Sequence, residues 1–296
     1  MPGLDDLGSG DADQKRSAGR PAGRGVAGRW EEPWPGGGGS RLRWAIAGLL
    51  VVVLVAAVIV AWPLVQLYTG AAPPAQFSEK VELDPALTQD YPQVLGVAHN
   101  AGNNLGTLAA ALRNGADVVE IDVISARGQL VAGRDHWPSW LAGQVFRGPT
   151  LVQAWDHATA ASIVKLDLQR TDRGLLDDLV TFLEARAGSR RVMISSRDPG
   201  ALLYLHRRLP DVTLLFSVSG PDAVHQLQSD PALQEAIGGV SAFQGLVDAN
   251  LVTWVHRHML LILAWTVNDS QRLNQLVRLH VDGITTANLA ILRALG

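Results

Sequence analysis

Residues 96–123 read GVAHNAGNNLGTLAAALRNGADVVEIDV. A short apolar run ends at His99, an amphipathic stretch LGTLAAALRNG follows, and a second β-rich run, DVVEIDV (117–123), closes the unit. Strand, helix and strand in that order imply parallel strands joined by a helical crossover. The same alternation continues downstream. Further strand candidates are SIVKLDLQ (162–169), RVMISS (191–196), VTLLFSV (212–218), GVSAF (239–243), LILAWTV (261–267) and VDGITT (281–286). Helical patterns such as RGLLDDLVTFLEARAG and PGALLYLHRRLP lie between them. With VLGVAH (94–99) as the first strand, eight rounds in about 200 residues predict an α/β fold of the (β/α)8 TIM-barrel type. RGQLVAGRD adds a short strand or a loop after the second strand. An open doubly wound sheet is the alternative, but no Gly-rich phosphate loop follows the first strand.

Alternation puts Glu120 and Asp122 on one face of their strand and Ile121 on the other. A packed barrel interior does not accept two unpaired carboxylates, because burying a lone charge is costly. Their side chains stand roughly 7 Å apart by strand rise, close enough to hold one ion between them. In a TIM barrel the reacting groups sit at the C-terminal strand ends. The polar residues of this chain fall there: His99, Glu120, Asp122, Asp167, Gln169, Ser195, Ser196, Trp265, Thr285 and Thr286. Each also has a plainer reading. Glu120 and Asp122 could pair with Lys165 or an arginine, and Asp167 with Lys165. His99 could be a satisfied strand-end histidine, His136 an exposed loop residue and Trp265 a packing cap. Asn103 and Asn104 could touch phosphate or metal, although helix capping is the commoner use of such residues.

Upstream, residues 1–40 are rich in Gly, Pro, Ser and mixed charge, lack apolar periodicity, and read as a disordered cytoplasmic tail. WAIAGLLVVVLVAAVIVAWPLVQLY follows, from Trp44 to Tyr68, with no charge between Arg43 and Glu79. That run exceeds the roughly 20 residues needed to cross a bilayer, so 41–69 reads as a transmembrane anchor. A buried core helix and a cleavable signal peptide are the alternatives. Arg41 and Arg43 abut the span, with Arg20, Arg24 and Arg29 behind them. This bias predicts a single-pass membrane protein with its N-terminus in the cytoplasm and its C-terminal domain outside. Residues 70–92 form a linker and 93–296 the barrel domain. Net charge is −3 and cysteine is absent. Bulk nucleic-acid binding, disulfides and thiolate chemistry are thereby disfavoured or excluded.

AHNAG, TLAAAL, NGAD, VEIDV and the later AWTVND (264–269) and VDGITT (281–286), in that order, resemble the glycerophosphodiester phosphodiesterases of the phospholipase-C-like barrel superfamily. The resemblance spans nearly all of 94–290. It implies a TIM barrel and a metal-dependent phosphoric diester hydrolase of lipid metabolism. Glu120, Asp122 and Asp167 would hold a divalent cation, Ca2+ or Mg2+. His99 would be one catalytic histidine, with His136 or Arg134 serving the second role. Asn100, Lys165, Gln169 and Trp265 would face a glycerophosphodiester or related lipid head group. Four positions depart from the family's pattern. Asn100 replaces an arginine, Leu105 and Gly106 replace a glutamate and an asparagine, Arg134 stands where a second histidine precedes Asp135, and Gln169 replaces a lysine. KLD (165–167) and the asparagine soon after the first histidine look closer to the menorin-like branch. The alternative function is a barrel that binds a phosphate-containing ligand without turnover. A third option is a lyase that releases a cyclic phosphate.

Overall fold

A computed structural model of the chain describes residues 46–52, 94–134, 146, 148–186 and 188–296. The chain divides into two units, Met1–Ile59 and Val60–Gly296. In the first, residues 46–52 are helical. The rest of the expected anchor (41–69), the tail (1–40) and the linker (70–92) lie outside the described residues. Among the described residues no helix is long and apolar enough to cross a membrane.

The second unit contains nine described strands in one sheet. They are β1 (Leu95–Ala98), β2 (Val118–Ala126), β3 (Gln129–Ala132), β4 (Ile163–Leu168), β5 (Arg191–Ser196), β6 (Thr213–Val218), β7 (Gly239–Phe243), β8 (Leu261–Trp265) and β9 (Gly283–Thr286). Their order is β1-β9-β8-β7-β6-β5-β4-β2-β3, and β1 also pairs with β2. That last pairing closes the sheet into a barrel. Every pairing is parallel except β2 with β3, an antiparallel hairpin at the end of the long second strand. RGQLVAGRD therefore supplies a strand, β3, outside the eight-fold repeat.

The helices are α1 (Leu105–Arg113), α2 (Leu151–His157), α3 (Arg173–Glu184), α4 (Pro199–Arg208), α5 (Pro221–Ser229), α6 (Pro231–Ala236), α7 (Ala249–Arg257), α8 (Ser270–Arg278) and α9 (Leu289–Leu295). Their starts follow from local chemistry. Thr150 and Gln153 form a reciprocal capping box at α2, and Asp172, Asp198, Asp248 and Asp269 cap α3, α4, α7 and α8. Asn104 caps α1, accepting from the Gly106 and Thr107 amides at 2.8 and 3.2 Å.

Strand alternation sorts the core into layers. Val119, Ile121, Val123, Val164 and Leu166 face the helices in one large apolar cluster. Val97, Val118, Ile163, Met193, Leu215 and Leu263 form a second cluster that floors the barrel. Above this floor the inward positions turn polar, because Glu120 and Asp122 continue the Val118 face and Lys165 and Asp167 continue the Ile163 face. The register sets Glu120 opposite Lys165 and Asp122 opposite Asp167. A short turn, Ala101–Asn103, is pressed onto β2 behind these residues. A Cβ built on Gly102 would lie 2.3 Å from the Ile121 side chain, so only glycine lets the turn approach so closely.

Candidate metal and phosphodiester site

Glu120, Asp122 and Asp167 each offer a carboxylate oxygen, and these atoms lie within 4.8 Å of one another at the C-terminal mouth of the barrel. The acids expected to converge do converge. Asp122 is 0 % exposed and receives three donors. Asn103 Nδ2 donates to its Oδ2 at 2.6 Å, Arg134 Nε to the same oxygen at 2.8 Å, and Gln169 Nε2 to Oδ1 at 2.9 Å. Asp167 accepts from Gln169 Nε2 and from Ser195 Oγ, both at 2.5 Å. Lys165 Nζ stands 3.2 Å from Glu120 Oε2, an ion pair between residues only 2 % and 3 % exposed.

Asn100 follows His99 in the left-handed region, at φ 54, which asparagine tolerates better than most residues. With its amide oriented to satisfy its neighbours, it donates toward Glu120 Oε1 (3.3 Å) and Asp122 Oδ2 (3.1 Å). Its oxygen then accepts from Arg134 Nη2 at 3.2 Å. Asn100 thus touches the acids and the arginine together.

Electrostatics report crowded negative charge. Burial, and then the Glu120 charge, raise the Asp122 carboxyl to about 6, against the opposing pull of Arg134 and Asn103. Burial also pushes Glu120 up, despite Lys165. Burial works to lower Lys165, but Glu120 and Asp167 outweigh it, so its ammonium is held charged. Burial and the neighbouring Arg134 guanidinium lower His99 to about 4. Its imidazole is therefore neutral at pH 7 and able to accept a proton.

A divalent cation fits this donor set. Three carboxylates within reach of one point, two of them with raised pKa values, are what a hard, oxygen-preferring ion would relieve. The raised Asp122 carboxyl sets a pH dependence. Below about 6 a proton competes with the ion, so cation affinity is expected to fall by up to about tenfold per pH unit as pH drops through that value. Calorimetric titration with Ca2+ or Mg2+ across this range measures the slope, and a flat profile would remove Asp122 from the ligand set.

The other predicted residues divide clearly. Gln169 and Asn100 touch the acids directly, whereas Lys165 lies beneath them, paired with Glu120 rather than with Asp167. Arg134 is fastened to Asp122, with 39 % of its side chain exposed. Trp265 ends β8 and meets Phe243 edge-on at 5.6 Å, forming an aromatic wall. His99 follows β1, its amide bonded to the Thr286 carbonyl at 2.9 Å. His136 lies outside the described residues. Of the two asparagines expected to cap the helix or to touch phosphate or metal, one does each kind of work. Asn104 caps the helix, while Asn103 clamps Asp122 from both sides, since the Asp122 amide donates back to Asn103 Oδ1 at 2.9 Å. The doubling of asparagine was the only signal for this in the sequence.

A family model described as the glycerophosphoryl diester phosphodiesterase family matches residues 152–290. Among solved structures, the chain is similar to an Oleispira antarctica phosphodiesterase in complex with the product sn-glycerol-3-phosphate. Identity is 19 %, the TM-score is 0.57, and 71 % of this chain and 98 % of that one are covered. A glycerophosphodiester phosphodiesterase from Thermotoga maritima gives 15 % identity and a TM-score of 0.55, covering 69 % and 99 %. A third, from Agrobacterium tumefaciens, gives 17 % and 0.54, covering 69 % and 100 %. No curated protein matches the sequence. At such identities the structural likeness carries the fold alone, and the family match covers a little under half of the chain. The barrel of this chain is a TIM barrel similar in fold to those of solved glycerophosphodiester phosphodiesterases.

Proposed function

We propose that the chain is a membrane-anchored, divalent-cation-dependent phosphodiesterase that hydrolyses glycerophosphodiesters or related lipid head groups. The observation that carries this reading is the carboxylate triad, Glu120, Asp122 and Asp167, at the barrel mouth beside a neutral His99. When bound, the cation would supply Lewis-acid stabilisation of the charge that develops on the phosphoryl oxygens. His99, whose imidazole is neutral at pH 7, takes the proton of the attacking hydroxyl. His136 protonates the departing alcohol. Arg134 turns its remaining guanidinium hydrogens to the phosphate while Asp122 fixes its Nε. Trp265 and Phe243 offer the carbon skeleton of the substrate an apolar wall.

The decisive assay uses the full chain, purified in detergent, with glycerophosphocholine in the presence of Ca2+, Mg2+ or chelator. Metal-dependent release of choline is expected. A second reading, ligand binding without turnover, is favoured by one observation: Arg134 holds the second histidine's place and is already engaged on Asp122. Binding of glycerol phosphate with no product would establish that reading instead. Phosphorus NMR separates glycerol phosphate, the hydrolytic product, from a cyclic phosphate.

Anchoring at 41–69, with the tail 1–40 inside, the linker 70–92 and the barrel 93–296 outside, is part of the proposal. Its support is the uncharged run from Trp44 to Tyr68 and the exposure of Ile46, Leu49, Leu50, Val51 and Val52 on one helical segment. Protease added to intact cells should remove the barrel and leave the tail. Recovery of the whole chain in the soluble fraction would refute the anchor.

A further inference from the structure

Gln169 stands one residue beyond β4, where its backbone amide is tied to the Val123 carbonyl at 3.2 Å. Its side-chain nitrogen bridges two acids from neighbouring strands, 2.9 Å from Asp122 Oδ1 and 2.5 Å from Asp167 Oδ2. A Ca2+ ion shared by those two oxygens would lie about 2.3 to 2.6 Å from each. Gln169 Nε2 and such an ion therefore claim the same place. An amide nitrogen that directs its two hydrogens at two carboxylates also does, weakly, what a cation does there: it reduces their mutual repulsion.

We propose that Gln169 is a displaceable stand-in for the cation and a determinant of the site's ion affinity. It holds Asp122 and Asp167 together while no ion is bound, and it must rotate away before an ion can bridge them. The side chain is half-buried, so it has an open side toward which to withdraw. Its backbone anchor keeps it ready to return. A lysine at this position would oppose the ion with a full charge. An amide opposes it only by occupancy and two hydrogen bonds, and so tunes affinity without repelling the ion.

This inference rests on the metal-centre reading above, and one experiment separates the two. Ca2+ and Mg2+ are titrated calorimetrically into the chelator-treated full chain in detergent, as wild type, Gln169→Ala and Gln169→Leu. Thermal denaturation in chelator verifies that each variant is folded, and the leucine variant keeps the volume if alanine weakens the fold. Both variants should bind the ion at least about tenfold more tightly, equivalent to about 1.4 kcal/mol. Their thermal midpoints should also rise further on ion addition than that of the wild type. Unchanged affinity would show that the amide is never displaced. Weaker affinity would make its oxygen a ligand, and either result overturns the proposal. Absence of ion binding in all three proteins would instead remove the metal centre itself.

Discussion

Asp122→Asn is expected to lower kcat/KM on glycerophosphocholine by at least about a hundredfold while leaving the ion-free protein as stable as the wild type, or more so, at neutral pH. The activity loss follows from position. Asp122 takes three side-chain donors, Asn103, Arg134 and Gln169, on its two oxygens. Neutralising it removes a charge from the set that would hold the cation, and loosens Arg134. The stability argument runs the other way. A carboxyl raised to about 6 in the folded chain, from 3.8 otherwise, binds its proton more tightly when folded. Its contribution therefore favours the fold below 3.8 and is lost as pH rises through about 6, so at pH 7 its charge opposes folding. Asparagine removes that opposition and keeps the shape. Parallel measurement of turnover and of thermal midpoint in chelator tests both halves. Activity within a few-fold of wild type would exclude Asp122 from the reaction. A marked fall in the ion-free midpoint would recast it as a structural residue.

Much of the fold was legible because a TIM barrel repeats one local rule. Seven of the eight parallel strands lie within a candidate run and β2 runs three residues past its own, since period-two patterning and helical spacing are properties of contiguous residues. The convergence of Glu120, Asp122 and Asp167 was legible for a related reason. Once β2 and β4 are neighbours, alternation leaves their acids one interior to share. Register is different, because it depends on how strands distant in sequence slide against each other. The placement of Lys165 against Glu120, rather than beside Asp167, is a register effect. Asn103 was obscured by a competing local explanation. It precedes a helix, where asparagine normally caps, and its actual partner lies 19 residues away. The Gln169 bridge joins a residue to an acid 47 positions earlier, and nothing local announces it.

Lys165→Met should destabilise the ion-free chain by about 3 to 5 kcal/mol at neutral pH, because it leaves Glu120 buried without its counter-charge. Both residues are almost wholly enclosed, so water cannot take the ammonium's place. Methionine matches the apolar stem of lysine closely, and packing loss should be a minor part of the effect. The pH signature identifies the cause. Burial already pushes the Glu120 carboxyl upward, and removing Lys165 pushes it further. The deficit should therefore shrink as pH falls and Glu120 takes up a proton, and grow as pH rises. Two restorations follow from the same electrostatics. Saturating Ca2+ should recover part of the loss, since an ion among the carboxylates offsets the same charge. The double variant Lys165→Met, Glu120→Gln should recover most of it, because neither charge is then buried alone. Urea denaturation with unchanged m-values gives each free energy. A single-variant loss below about 1 kcal/mol, or a double variant no better than the single, would mean that the pair does not neutralise the barrel interior, and that Glu120 is kept charged or proton-bound by other means.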